Sequence, residues 1–207
     1  MNIIDPRIEK YLMDLTPEDD GNLLELERLA KERDFPIVDR LVGRLLFILA
    51  KLRDPKLVVE LGSGFGYSAL WFAKAIEKGK VILTDHSPEN IDYARRTFSK
   101  AGLLRKAEFK AGDAIKIARA YKKIDILFID IDKYQYLDAV KTLLPNLNRD
   151  ALVIADNSLW YGRVTGRRRD TDTLGIKRFN SYMFANGDFF TTIVPIRDGV
   201  LVAYKRT

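Results

Sequence analysis

Five acidic residues stand where short apolar runs stop: Glu60, Asp85, Asp113, Asp130 and Asp156. A carboxylate at the end of a buried run is costly unless something pairs with it, so this repetition points to ligands rather than to packing. Glu60 precedes Gly62, Ser63, Gly64 and Gly66 in VVELGSGFGYS. Glycines between a strand and a helix let a ligand approach the backbone closely. A carboxylate beside that loop would repel a pyrophosphate but suits a ligand carrying an ammonium or sulfonium charge. The dinucleotide pattern G-x-G-x-x-G needs its third glycine at position 67, where Tyr67 stands, which argues against a dehydrogenase. Asp85, 23 residues after Gly62, could accept both hydroxyls of a ribose. Asp130, Asp156 and Asn157 offer two carboxylates and an amide oxygen. If their strands are neighbours, about 4.8 Å apart, these side chains converge on one point. Such an all-oxygen set suits Mg²⁺, Mn²⁺ or Ca²⁺ and not zinc, and leaves positions open for substrate oxygens.

These residues require a scaffold that brings strand ends together. Three segments before residue 54, PRIEKYLMDL, NLLELERLAKER and PIVDRLVGRLLFILAKLR, carry apolar residues at helical steps, with Pro6 and Pro36 at first-turn positions. Beyond them, strand-like runs KLVVELG, KVILTD, AEFKAGD, DILFIDID and ALVIADN alternate with helical stretches. That alternation predicts a parallel sheet covered on both faces. FTTIVPI and GVLVAYKR, joined by RDG, predict a closing antiparallel hairpin. The fold class is α/β: a doubly wound, mostly parallel seven-stranded sheet with a C-terminal antiparallel hairpin, preceded by N-terminal helices. The expected organisation is one domain, 1–207, with helices over 1–53 and an α/β core over 54–207. In such sheets ligands bind beyond the carboxyl ends of the strands, where the acidic residues are.

Composition excludes several chemistries. There is no cysteine and one histidine, so disulfides, thiolate metal sites, a cysteine nucleophile and a histidine triad lack their parts. Charges at Asp5, Arg7 and Glu9 argue against a signal peptide, and Arg44 and Lys51 interrupt the longest apolar run. A cytoplasmic protein without membrane association is expected. The net charge of +6 reads first as a solvated basic surface, and it permits an acidic or nucleic-acid partner.

The segment ELGSGFG with Asp85 resembles the first motifs of class I S-adenosylmethionine-dependent methyltransferases. FIDIDKYQYLDAVKTLLPNL followed by LVIADNSLWYGRV resembles the cation-dependent O-methyltransferases of the catechol and caffeoyl-CoA type, and the RDG hairpin looks like that family's ending. The resemblance implies S-adenosylmethionine as cofactor. Glu60 would face its methionine end, surrounded by Gly62, Ser63, Gly64 and Ser68. Asp85 would hold the ribose, Asp113 and Ala114 would lie at the adenine, Asp132 on the cofactor side, and Val38 would touch the cofactor through its backbone. Asp130, Asp156 and Asn157 would hold a divalent cation, Mg²⁺ first, and Lys133 would be the general base. A homodimer is implied as well. His86 stands either near the ribose or adenine or on a surface loop.

Methyl transfer to a phenolic oxygen fits these parts. A cation on that oxygen lowers its pKa, a second oxygen on the same cation fixes the angle of attack, and a lysine alongside can accept the proton. The expected acceptor is a small catechol-like or phenolic molecule with vicinal oxygens; the alternative is a hydroxylated uridine in a tRNA anticodon loop. A non-catalytic binding module would not need both sets. Trp160 and Tyr161 line the substrate mouth or pack. GRVTGRRRDTDTLGIKRFN, containing Arg167, Arg168 and Arg169, is expected as a polar loop over the rim. It is either solvated and partly neutralised by Asp170 and Asp172, or a phosphate contact.

Overall fold

The computed structural model describes residues 3–206. The first two residues of the amino-terminal stretch and the last residue of the chain lie outside it.

The apolar runs form β1 (Leu57–Leu61), β2 (Lys80–Asp85), β3 (Ala107–Ala111), β4 (Ile124–Ile129) and β5 (Leu147–Ala155), followed by β6 (Phe189–Val194) and β7 (Val200–Lys205). They join in one seven-stranded sheet of order β3-β2-β1-β4-β5-β7-β6. The first five strands are parallel, and β7 runs antiparallel to both β5 and β6. The expected reversed strand is therefore β7.

Alternation along the strands divides the core in two. Val58, Val81, Leu83, Ile126 and Phe128 face one layer of helices. That layer contains α2 (Gly21–Glu32), α3 (Arg40–Arg53), α4 (Tyr67–Ala75) and α5 (Pro88–Lys100), while α1 (Pro6–Asp14) lies against α3. Val59, Leu61, Ile82, Leu127 and Ile129 face the other, built from α6 (Ala114–Ala118), α7 (Tyr136–Leu143) and α8 (Thr171–Ala185). Every residue of β4 is buried, because helices cover both faces. Successive connections run outward from β1 to β2 and β3, then return to place β4 on its other side. The chain therefore leaves a crevice beyond the ends of β1 and β4.

Three expectations change. The third helix begins at Arg40, not Pro36, because the Asp39 carboxylate accepts from the Val42 amide at 2.9 Å and fixes the first turn there. Residues 35–39 instead form a strap that is neither helix nor strand. Strand β5 begins at Leu147 rather than Ala151. The predicted polar loop is helical from Thr171, where Asp170 caps α8 through the Thr173 amide at 3.0 Å and hydroxyl at 2.8 Å. Ile176, Phe179 and Met183, three and four residues apart, bury its inner face. Among the described residues no helix is long and apolar enough to cross a membrane.

Candidate active site

The ends of β1 and β4 meet first. Gly62 has φ +83°, and a Cβ there would lie 2.1 Å from the Asp130 carbonyl oxygen, so glycine is what allows the two strand ends to close. The turn is pinned by Gly62 and Ser63 amides donating to the Thr84 carbonyl at 3.1 and 2.8 Å. The Gly64 amide donates to Asp85 at 2.9 Å. The other Asp85 oxygen accepts from the Ser87 amide at 2.8 Å and from Asn90 at 3.1 Å, so this carboxylate stands fixed at the mouth of the loop.

Glu60 is fully buried behind this wall. One oxygen accepts a very short hydrogen bond from the Ser68 hydroxyl, and the other has no partner. Burial pushes its carboxyl up to about 8, with Asp130 and Asp85 adding repulsion. A buried carboxyl with an empty acceptor is the counterpart of a cationic ligand.

A cleft of about 530 Å³ opens in front, the size of a small-molecule site. Gly62, Ser63, Gly64, Ser68, Asp85 and His86 form one side. Val38, in the strap with Phe35, and Ala114 close it further, while Asp130, Asp132 and Lys133 face them. Asp113 is not brought to the wall: it is exposed and caps α6 through the Lys116 amide at 2.9 Å. Glu60 also stays off the wall, with Ser68 between it and the cleft.

Beyond Asp130 the chain turns at once. Lys133–Gln135 is a short 3-10 turn leading into α7. It folds Lys133 back so that Nζ donates to Asp130 Oδ1 at 2.9 Å, to the Ile131 carbonyl at 3.1 Å and to the Tyr136 hydroxyl at 3.0 Å. The Tyr136 hydroxyl donates in turn to the Asp156 carbonyl at 3.3 Å. The amine also lies 5.8 Å from the Trp160 ring centroid. Gly175 of α8 permits this arrangement, since a Cβ there would come within 2.6 Å of the Lys133 carbonyl.

Asp156 is fully buried at the end of β5. Its Oδ2 accepts from Arg197 at 3.1 Å, while Oδ1 has no partner. Burial pushes its carboxyl up to about 7, Asp130 adds repulsion, and Arg197 opposes both. Asn157 follows with φ 53°, and its Nδ2 donates to Asp198 Oδ2 at 3.3 Å, leaving the amide oxygen as acceptor. Asp198 also receives a very short hydrogen bond from the Tyr161 amide. Trp160 and Tyr161 line the cleft in left-handed conformation, φ 46° and 53°.

Among the described residues no three histidine, cysteine, aspartate or glutamate side chains cluster as a metal site. The oxygen set here is two carboxylates and an amide. It fits a hard divalent cation on its chemistry and on the orphaned, buried Asp156 Oδ1.

Sequence reasoning missed Arg197, Asp198 and Tyr136. The first two were read only as turn residues between hairpin strands. Tyr136 carried a usable signal, three residues after Lys133 on a helical turn.

A profile of the O-methyltransferase family matches residues 13–206. The catechol O-methyltransferase of Niastella koreensis is 30% identical over 204 residues, covering 94% of this chain and 92% of that protein. The crystal structure of a methyltransferase from Geobacter sulfurreducens is 39% identical and covers 100% of both chains with a TM-score of 0.89. The O-methyltransferase from Bacillus cereus, solved in complex with SAH, has the same fold at 24% identity, with a TM-score of 0.87 and 97% of each chain covered.

Proposed function

The chain belongs to the O-methyltransferase family and is an S-adenosylmethionine-dependent enzyme, and from that premise we propose that it methylates one of two vicinal oxygens of a small catechol-like or phenolic acceptor with the help of a divalent cation. The observation that carries this reading is the buried, unpartnered Oδ1 of Asp156 beside Asp130 and Asn157, in the same cleft as the glycine loop.

S-adenosylmethionine supplies a methyl group on a positively charged sulfur. Buried Glu60, behind Ser68, holds its proton near pH 7 and would release it, gaining a compensating negative charge, when a cationic sulfur binds, and Asp85 offers oxygens to a ribose. A divalent cation supplies positive charge that lowers the pKa of an acceptor hydroxyl, Mg²⁺ being the first candidate. Asp130, Asp156 and Asn157 would hold it. Lys133 is an ammonium while it donates to Asp130 and Tyr136; a cation held by Asp130 would disfavour that charge, and the neutral amine would then be placed to take the acceptor's proton. Trp160 and the strap at Phe35–Val38 narrow the cleft and limit access of water. The same reading takes residues 1–207 as one cytoplasmic methyltransferase domain working as a homodimer.

One observation favours the tRNA alternative. A second concavity of about 470 Å³ adjoins the cleft at Tyr161 and is lined by Arg163 and Arg168. Among the described residues Arg163, Arg167, Arg168 and Arg169 make no salt bridge within 4.0 Å, and Asp170, which caps α8, feels Arg163 only at longer range. An unpaired arginine surface beside the site suits phosphate.

The test is transfer of labelled methyl from the cofactor to two pools, small catechols and undermodified tRNA, each with Mg²⁺ or EDTA. Metal-dependent labelling of the catechols is expected. Labelling confined to tRNA selects the alternative, and full activity in EDTA refutes the cation.

A further inference from the structure

Each of the three oxygen donors has its second polar atom already engaged. Lys133 holds Asp130 Oδ1 at 2.9 Å, Arg197 holds Asp156 Oδ2 at 3.1 Å, and Asp198 receives Asn157 Nδ2 at 3.3 Å. We infer that Arg197 makes Asp156 a one-oxygen ligand and thereby sets the site's choice of ion, favouring a small octahedral cation such as Mg²⁺ or Mn²⁺ over Ca²⁺. The inference rests on the divalent-cation reading above.

The physical basis is coordination number. Ca²⁺ takes six to eight oxygens and commonly draws both oxygens of a carboxylate, whereas Mg²⁺ takes six at shorter distance with near-octahedral geometry. With one oxygen available from each ligand, the protein contributes three donors and the remaining positions fall to water and acceptor. Ca²⁺ would gain most from the second Asp156 oxygen, and that oxygen is where the guanidinium sits.

Arg197 is held there by its backbone. It has φ 48° in the β6–β7 turn, which the Gly199 amide closes by donating to the Ile196 carbonyl at 2.8 Å. The next residue, Asp198, is buried and tied to Asn157 and Tyr161, so the turn cannot drift from the cleft. Arg197 and Lys133 also neutralise the two carboxylates before any ion arrives, which keeps intrinsic affinity modest for every divalent cation.

Binding rather than turnover tests this. The full chain is titrated with Mn²⁺ alone, read by electron paramagnetic resonance, and bound Mn²⁺ is then displaced with Mg²⁺ or Ca²⁺. In the wild type Ca²⁺ should compete poorly. In Arg197→Met, Ca²⁺ should gain on Mn²⁺ by roughly tenfold, the scale of one added ligand oxygen, while the lost charge raises affinity for both ions alike. Arg197→Gln guards against misfolding of the first variant and should move the ratio in the same direction. An unchanged Ca²⁺/Mn²⁺ ratio in a variant that still binds Mn²⁺ overturns the inference and leaves the cation reading standing. A wild type that binds no Mn²⁺ overturns both.

Discussion

Lys133 and Asp130 lie three residues apart in the chain and 2.9 Å apart in space, because a 3-10 turn folds the end of β4 back on itself. The side chain that follows two strand residues therefore faces the same cleft as they do. If Lys133 takes the acceptor's proton, Lys133→Ala should lower kcat by about 10²–10⁴ while cofactor affinity holds. Arginine keeps the charge but does not give up its proton, so Lys133→Arg should fail to rescue. Rescue by arginine, read in single-turnover kinetics, would mean that the residue only positions the acceptor.

Asp156→Ala should abolish metal-dependent methylation and leave cofactor binding within a few-fold, measured by calorimetry. Removing one partner of a buried ion pair strands the other, so Arg197 loses its counter-charge and the melting temperature should fall as well. Wild-type activity in this variant would exclude Asp156 from the reaction.

Glu60 makes stability depend on pH. Its carboxyl is raised from an ordinary 4.5 to about 8 by burial. Below 4.5 both folded and unfolded chains hold the proton. Between the two values the folded chain keeps a proton that the unfolded chain has lost, so stability falls as pH rises from 4.5 through 8. Glu60→Gln should therefore melt higher than wild type at pH 8.5, with the gap closing towards pH 4.5, by an amount on the order of a few kcal/mol at most. Cofactor affinity should fall in the same variant, because glutamine has no proton to release and so cannot gain the charge that answers a cationic ligand. Parallel melting curves at all pH values would contradict the assignment.

Gly175→Ala tests a residue remote from any ligand. The added Cβ would meet the Tyr134 Cα at 2.5 Å, forcing α8 away from the turn that carries Lys133. Overpacking of this kind costs about 1–3 kcal/mol. The expected result is a lower melting temperature with a fall in kcat larger than any change in cofactor affinity.

Replacing Arg163 and Arg168 together with alanine should weaken methylation of a phosphate-bearing acceptor and hardly touch a catechol. If phosphate contacts carry the effect, it should shrink as salt rises. Equal activity on both substrates before and after the change would leave the arginines as surface.

Strand ends were readable because parallel strands buried on both sides appear as unbroken apolar runs, and a carboxylate that breaks such a run is conspicuous. That placed Asp130, Asp156 and the Glu60 loop. The register that brings Asp156 to Arg197 is a pairing across 41 residues, and nothing in RDG marks it as more than a turn. Helix α8 was legible in principle from Ile176, Phe179 and Met183. Arginines, aspartates and Gly175 at its front hid the pattern. At the strap, Pro36 and Asp39 are both helix-start signals, and the side chain that captures an amide prevailed.

The β6–β7 hairpin forms one outer margin of the sheet, yet its turn delivers Arg197 to the cleft and Asp198 to the Asn157 side chain behind it. Breathing at that margin and release of whatever the cleft holds are then a single event. Occupancy becomes readable from outside: amide hydrogens of the marginal strand, Phe189–Val194, should exchange more slowly when the site is filled, although no ligand touches them. An outer edge of the sheet would serve as the gauge of its cleft.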